Sequence, residues 1–343
     1  MNILITSVGR RSYLVKYFKD AIGNEGLIHV MNSTAVSPAF PYADRAVLSP
    51  LIYDSRYIPF LLEYCSANRI DALLSCFDID LCMLAAHKED FDRIGTRVIV
   101  ADYDIVSVCE DKWKTAGFLK KYGFDVPRTY LDPESAKKDL KAGLIGYPLI
   151  VKPRRGMGSI SIYEADNDSE LDVFFAKTRK NIMNTYLKYE SLQDPDRSTI
   201  IQEKITGQEF GVDIINDLNG NYVNTVVKKK FAMRAGETDC AVTVDDDGIR
   251  EIGKKLAGIT RHPGNLDVDM FACGNRYLIL EMNARFGGGY PFSHLAGVNE
   301  PKAIIEWLKG KETDTALLTP RYGVIGQKDI SMTELTDIQE ESL

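Results

Sequence analysis

Leu266-Asp-Val-Asp-Met-Phe271, with Tyr277-Leu-Ile-Leu-Glu-Met-Asn-Ala-Arg-Phe-Gly-Gly-Gly289 just after it, decides the reading of this chain. The two segments read as β-strands joined by a Gly-Asn turn at Gly274-Asn275. Side chains along a strand alternate faces, so Asp267 and Asp269 share one face, as do Glu281 and Asn283. If the strands pair with these polar faces together, several hard oxygen donors converge. Carboxylate and amide oxygens without His or Cys suit Mg²⁺, which binds through one or two carboxylates plus substrate phosphates. Arg285 and a glycine run follow directly, which is what a site for a transferring phosphoryl group requires. A solvated hairpin face is the alternative. It fits less well, because Glu281 and Asn283 interrupt an otherwise apolar run, where an unpaired charge is costly to bury.

Working outward, the chain from Asn2 to Val100 alternates strand and helix patterns. Strands are expected at Ile3–Ile5, Ile28–Met31, Asp71–Ser75 and Arg97–Val100. Helices are expected at Tyr13–Ile22, Tyr57–Ala67 and Leu81–Phe91. This is the βαβ signature of an open parallel sheet. The loop after the first strand, Ser7-Val-Gly-Arg-Arg-Ser12, has one glycine and is not a dinucleotide fingerprint. Arg10 and Arg11 there either bind an anion or are solvated. Asp102 to Glu110 reads as the crossing into a second domain. A helix at Trp113–Lys121 follows, then strands at Val126–Tyr130, Gly146–Pro153, Ile160–Tyr163, Thr199–Glu203, Glu209–Ile215 and Tyr222–Lys229. Helices at Asp168–Lys180, Asp246–Thr260 and Pro301–Lys309 complete the pattern.

Length and composition bound the rest. The chain has 343 residues, enough for two or three cores, and its net charge of -7 argues against a broad nucleic-acid surface. The six cysteines are scattered without a C-x-x-C pair, which favours reduced thiols in a cytoplasmic protein. No secretory signal is read at the start, and no apolar run approaches the ~20 residues of a membrane helix. The four histidines are isolated. His294 follows the glycine run, where a structural role is expected.

Two further segments carry chemistry. Lys152 ends a strand immediately before Arg154-Arg-Gly-Met-Gly-Ser159. Glycines let backbone N–H groups approach an anion, and a lysine beside them is a natural phosphate partner, although the order is the reverse of a P-loop. Gln202-Glu-Lys-Ile-Thr-Gly-Gln-Glu209 is a strand, a short linker and a second strand. Linker backbone groups can read an adenine edge and a carboxylate can accept ribose hydroxyls, but on spacing alone this is a turn with solvated charges.

Asp111-Lys112, Pro148 to Ser159, Glu203 to Glu209 and Glu281 to Gly289, in that order, resemble the ATP-grasp superfamily, in its carbamoyl-phosphate-synthase-like and biotin-carboxylase-like branch. The resemblance extends to the N-terminal sheet and covers about nine tenths of the chain. It implies a mixed α/β and α+β fold: an open parallel, Rossmann-like preATP-grasp domain (residues 1–108), then a two-subdomain ATP-grasp domain (109–310, with a lid subdomain at about 125–205). A C-terminal extension (311–343) would lie on the surface. It implies ATP between two antiparallel sheets, with Lys112 and Lys152 on the phosphates and Gly156, Gly158 and Ser159 closing over them. Glu203 and the backbone of Lys204 and Ile205 would hold adenine, and Glu209 the ribose. Asp269, Glu281 and Asn283 would hold Mg²⁺, or Mn²⁺ in its place. Asp269 is placed ahead of Asp267 by its distance from Glu281, yet it is shorter than the usual Glu or Gln, so Asp267 stays open as a sharer of that role. Arg285 would steady the transferring group. Arg234, in the basic Lys228–Thr238 segment, would meet a carboxylate or acyl phosphate, with the lysine run partly solvent-facing.

The implied activity is an ATP-dependent carboxylate–amine ligase that passes through an acyl phosphate and releases ADP and phosphate. Its partners would be ATP, a small carboxylate and an amine, with no nucleic acid and no membrane; a homodimer is an open assembly. The alternatives are carbamoyl-phosphate-type chemistry on bicarbonate and a non-catalytic ATP-binding module.

Overall fold

The computed structural model describes residues 1–156, 160–192 and 194–335. Apolar runs of Ile, Leu and Val make the first strands, and both of their faces are covered. β1 (Asn2–Thr6), β2 (Leu27–Asn32), β3 (Arg45–Leu48), β4 (Ala72–Ser75) and β5 (Arg97–Val98) form a parallel sheet in the order β3-β2-β1-β4-β5. The chain reverses its direction of travel across this sheet between β1 and β4. Loops at the carboxyl ends of those two strands open a crevice there, where open α/β sheets bind ligands. The loop after β1 carries Arg10 and Arg11; the helix Asp78–Ala86 after β4 carries Asp78 and Asp80 in its first turn.

The expected parallel sheet is present, with three local differences. The helix expected over Leu81–Phe91 is two helices, Asp78–Ala86 and Lys88–Arg93, broken at His87. The crossing segment is itself a helix, Tyr103–Glu110, with Val106 and Cys109 buried. β3 was not anticipated, because its residues are only half-buried at the sheet edge.

Two antiparallel sheets follow. β6 (Thr129–Tyr130), β7 (Leu149–Pro153), β8 (Tyr163–Ala165) and β9 (Thr199–Glu203) make a four-stranded sheet in the order β6-β9-β7-β8. β8 starts three residues later than expected, since Ser161 takes a left-handed φ of 55° that no strand accommodates. β10 (Gln208–Asn216), β11 (Tyr222–Arg234), β12 (Glu237–Val244), β13 (Gly264–Cys273), β14 (Arg276–Asn283) and β15 (Ile325–Gln327) make a six-stranded sheet, in the order β14-β13-β10-β11-β12-β15. The helix Asp247–Thr260 packs its Ile249, Leu256 and Ala257 against this sheet within the largest apolar core. The extension expected after Gly310 therefore does more than lie on the surface: it supplies β15, paired from Gln327 to Cys240 and from Ile325 to Val242. Residues 336–343 of that extension lie outside the described residues. No helix among the described residues is long and apolar enough to cross a membrane. All six cysteines are unpaired.

The helix Glu300–Leu308 begins with a fully buried carboxyl. Glu300 accepts a hydrogen bond from Asn265 Nδ2 at 2.8 Å, and burial pushes it from its ordinary 4.5 up to about 8. Between about pH 4.5 and 8 the folded state keeps a proton that the unfolded chain has lost, so stability falls across that window. Glu300→Gln should remove this slope and raise stability at pH 8 by on the order of a few kcal/mol, with little change at pH 4. Urea unfolding at the two pH values checks it; parallel pH profiles for the two proteins would refute it.

Candidate active site

The Gly274-Asn275 turn closes β13 onto β14, with Gly274 at a left-handed φ of 60° that a glycine accepts without strain. The register sets Asp269 opposite Glu281 and Asp267 opposite Asn283, with a bulge immediately after Asp269. The four polar side chains thus meet on one face of one hairpin. Asn283 Nδ2 donates to Asp267 Oδ2 at 3.3 Å. Asp267 is 8% exposed, and burial together with the Asp269 charge pushes its carboxyl up to about 6. Asp269 and Glu281 are more open, with side chains 27% and 22% exposed. These two are the better placed to take a cation from solvent. Among the described residues no three His, Cys, Asp or Glu side chains gather closely enough to cage a metal unaided.

Cations from three elements face these carboxylates. Lys112, at the start of the helix Lys112–Lys121, lies 3.5 Å from Glu281 Oε2 and donates to the Gly156 carbonyl at 2.6 Å. Lys152, near the end of β7, is buried. Its loss of hydration, with Lys112 close by, lowers its ammonium pKa to about 8. Burial opposes the Glu281 carboxylate too, but Lys112, Lys152 and Arg285 outweigh it and hold the pKa below the usual range.

Arg285 is locked in place. Its Nε and Nη2 reach Asp78 Oδ2 at 3.1 and 2.7 Å, and Nη1 lies 3.6 Å from Asp267 Oδ2. The helix that follows β4 thus holds the arginine that follows the hairpin. Asp80, two residues on from Asp78, is not in the site. It is fully buried and accepts from Thr6, Tyr57 and Ser75 hydroxyls.

The lysine run differs from its expected wet character. Lys228 and Lys230 sit on the inner face of β11; Lys229, on the other, is half-buried. Lys228 pairs with Asp213. Lys230 Nζ bridges Glu209 Oε1 at 2.8 Å and Asp269 Oδ1 at 2.7 Å. Burial disfavours the Lys230 charge, but Asp269 and Glu209 more than compensate and raise its pKa. Sequence reasoning missed Lys230; the period-2 alternation along β11 was the signal that could have found it. Arg234, at the far end of β11, is exposed. Its Nε donates to Asp239 at 2.7 Å, so its guanidinium is already engaged. His294 stacks on Tyr17 with ring centroids 3.6 Å apart, a packing role.

Two cavities meet at the hairpin. One, about 630 Å³, lies between the four- and six-stranded sheets. Ile150, Phe271 and Leu280 give it apolar walls, and Lys112, Lys152 and Glu209 give it polar ends. The linker after Glu203 borders it, with Lys204 and Ile205 among its lining residues. Glu203 itself accepts from the Arg128 N–H at 3.2 Å, and Lys204 Nζ donates to Glu164 at 2.6 Å. The other cavity, about 430 Å³, lies towards the N-terminal sheet and contains Arg10, Arg11, Arg234, Asn283 and Arg285 on its walls. Asp269 and Glu281 line both. Gly158 and Ser159 lie outside the described residues; Gly156 borders the first cavity.

Gly287 packs so closely on the hairpin that a Cβ there would come within 2.1 Å of the Asp267 carboxyl. Gly287→Ala should displace that carboxyl and cost about 1–3 kcal/mol of stability. Gly258→Ala, on an open helix surface with nothing within 4 Å, should be neutral or slightly stabilising. Chemical denaturation of both variants tests the contrast; equal effects would refute the close-packing account.

Residues 3–99 match the PylC-like N-terminal domain family, and residues 109–289 match the ATP-grasp domain family. The carbamoyl phosphate synthase large chain of Pseudothermotoga lettingae is 23% identical over 318 residues, covering 90% of this chain and 27% of that protein. The chain therefore spans about a quarter of the length of that relative. A biotin carboxylase from Campylobacter jejuni, solved as a complex with β,γ-ATP, superposes with a TM-score of 0.71 at 18% identity, over 93% of this chain and 73% of that one. An L-amino acid ligase from Bacillus licheniformis gives 0.65 at 17% identity, over 90% and 74%. At these identities the two structures speak for the fold. With more than half of its residues inside the matched ATP-grasp domain, the chain belongs to the ATP-grasp family.

Proposed function

We propose that this protein is an ATP-dependent ligase that activates a carboxylate as an acyl phosphate and joins it to an amine. One observation carries the reading: Asp269 and Glu281 stand in the shared wall of two cavities, one large enough for a nucleotide and one lined by arginines. In the first, adenine lies against Phe271 and Leu280 beside the Glu203–Ile205 linker, and Glu209 accepts the ribose hydroxyls. The phosphates run towards Lys112 and Lys152, and their charge favours the protonated form of the buried Lys152. Asp269, Glu281 and Asn283 are the donors that would hold Mg²⁺ or Mn²⁺, whose chemistry is to neutralise charge on a transferring phosphoryl group. Lys230 must release Asp269 in part when that ion is bound, and Glu209 is its remaining partner.

In the second cavity a carboxylate oxygen of the substrate attacks the γ-phosphorus. The new P–O bond forms as the bond to ADP breaks, and ADP leaves with the electron pair. The acyl carbon is then attacked by the amine nitrogen: a C–N bond forms, phosphate departs, and the amine gives its proton to solvent. Arg285, fixed by Asp78, presents charge where the transferring group becomes more anionic. No side-chain nucleophile takes part.

ADP and phosphate release, measured with pooled amino acids and small carboxylates, tests the reading. Release that needs both a carboxylate and an amine is expected. Bicarbonate-dependent release without an amine would favour the carbamoyl-type chemistry named in the relatives, and nucleotide binding without turnover would favour a binding module. Glu281→Gln should slow turnover at least ~100-fold, since one charged transition-state contact is worth a few kcal/mol. Near-normal turnover of that variant would remove Glu281 from the reaction.

A further inference from the structure

Six basic and six acidic side chains, Asp329 among them, line the smaller cavity, but they are not evenly paired. At its outer wall Arg234 is engaged by Asp239, and Lys328 Nζ by Glu237 at 2.8 Å. At its inner end Arg285 is held by Asp78. Arg10 and Arg11, on the loop after β1, stand apart. Among the described residues neither has a carboxylate within ion-pair distance. Arg11 donates Nη1 to the Phe286 carbonyl at 2.5 Å, and Arg10 has no hydrogen-bond or ion-pair partner among the described residues. Glu237 feels the Arg11 charge, but its own ion pair is with Lys328. Beside the two arginines, the Tyr13 hydroxyl is buried and lacks a hydrogen-bond partner among the described residues. Two cations and an idle hydroxyl thus face one cavity from the crevice between β1 and β4, and Lys328 to Ile330, just after β15, wall it from the other side.

We infer that this end of the cavity binds a second anionic group of the substrate, a carboxylate or phosphate remote from the carboxylate that reacts at Asp269 and Glu281. This rests on the ligase reading for the reacting end only. The substrate class is then a small dianionic acid. The loop after β1 selects it through Arg10 and Arg11, with the Tyr13 hydroxyl donating to the same group. A planar guanidinium pairs with carboxylate or phosphate oxygens through two parallel N–H bonds, which gives direction as well as charge. The wall after β15 lies outside the matched ATP-grasp residues, so it can vary the depth of the cavity without touching the phosphoryl-transfer groups.

Calorimetric titration of the full chain with glutarate, 4-phosphonobutyrate and butyrate tests this, with and without Mg²⁺ and a non-hydrolysable ATP analogue. Either dianion should bind about tenfold or more tightly than butyrate, the size of one charge-assisted contact. The tighter of the two identifies the group as carboxylate or phosphate. Arg10→Gln should abolish most of that preference, Arg10→Lys should restore part of it, and the ATP analogue should bind both variants within about twofold of the wild type. Arg10 is exposed, so neither change threatens the fold. Equal binding of the three acids, absence of binding by all of them, or an unchanged preference in Arg10→Gln would overturn the inference. Failure of the ATP analogue to bind the wild type would instead overturn the nucleotide reading, while the acid preference measured without nucleotide would still decide this one.

Discussion

A carboxylate that leaves water must meet a cation or a full set of donors, and that requirement organises the middle of this molecule. Asp213 meets Lys228, Asp269 and Glu209 share Lys230, Glu281 meets Lys112, and Asp78 with Asp267 surrounds Arg285. Such pairs add little net stability, because desolvation consumes most of the Coulomb gain. What they fix is position. Apart from Arg285 and Asp267, which belong to the same hairpin region, each cation on the hairpin's acidic face comes from another part of the chain, so that face is completed only when the helix after β4, the helix at Lys112 and β11 are all seated. The cluster is thereby a condition on the whole fold rather than on one ribbon.

Asp111 extends the same logic to the gap between the antiparallel sheets. Its carboxylate caps the helix Lys112–Lys121 by accepting from the Trp113 and Lys114 N–H groups, and it also receives Arg154 Nε at 2.8 Å. A cap of this kind contributes on the order of 1 kcal/mol. Here it also joins the end of β7 to the helix that carries Lys112, and the Lys112 N–H donates to the Arg154 carbonyl at 3.1 Å. Lys112 on its helix and Lys152 on β7 are thereby tied to one another through Asp111 and Arg154.

The hairpin was legible because its signals are local: a Gly-Asn turn, strict alternation, and polar residues breaking an apolar run. The βαβ order of the first sheet was legible for the same reason. What sequence could not give were the partners. Asp78 and Arg285 are 207 positions apart, and no spacing rule links them. Arg10 and Arg11 stayed undecided, since their surroundings are assembled by β12, the hairpin and the segment after β15. Lys230 is hard to single out because a lysine run reads as solvated, and only its strand phase distinguishes it from Lys229. The helix Tyr103–Glu110 was hidden by its position, where a domain crossing suggests an irregular path.

The six-stranded sheet owes one margin to a short, polar segment that carries little strand pattern of its own. β15 covers part of the outer edge of β12, from Cys240 to Val242. Without it, that edge would present bare N–H and C=O groups beside exposed Phe231 and Met233, a template on which another chain could dock its backbone. A shortened version of this protein that ends near Gly310 would thus carry an adhesive rim, prone to self-association even with the acidic hairpin intact.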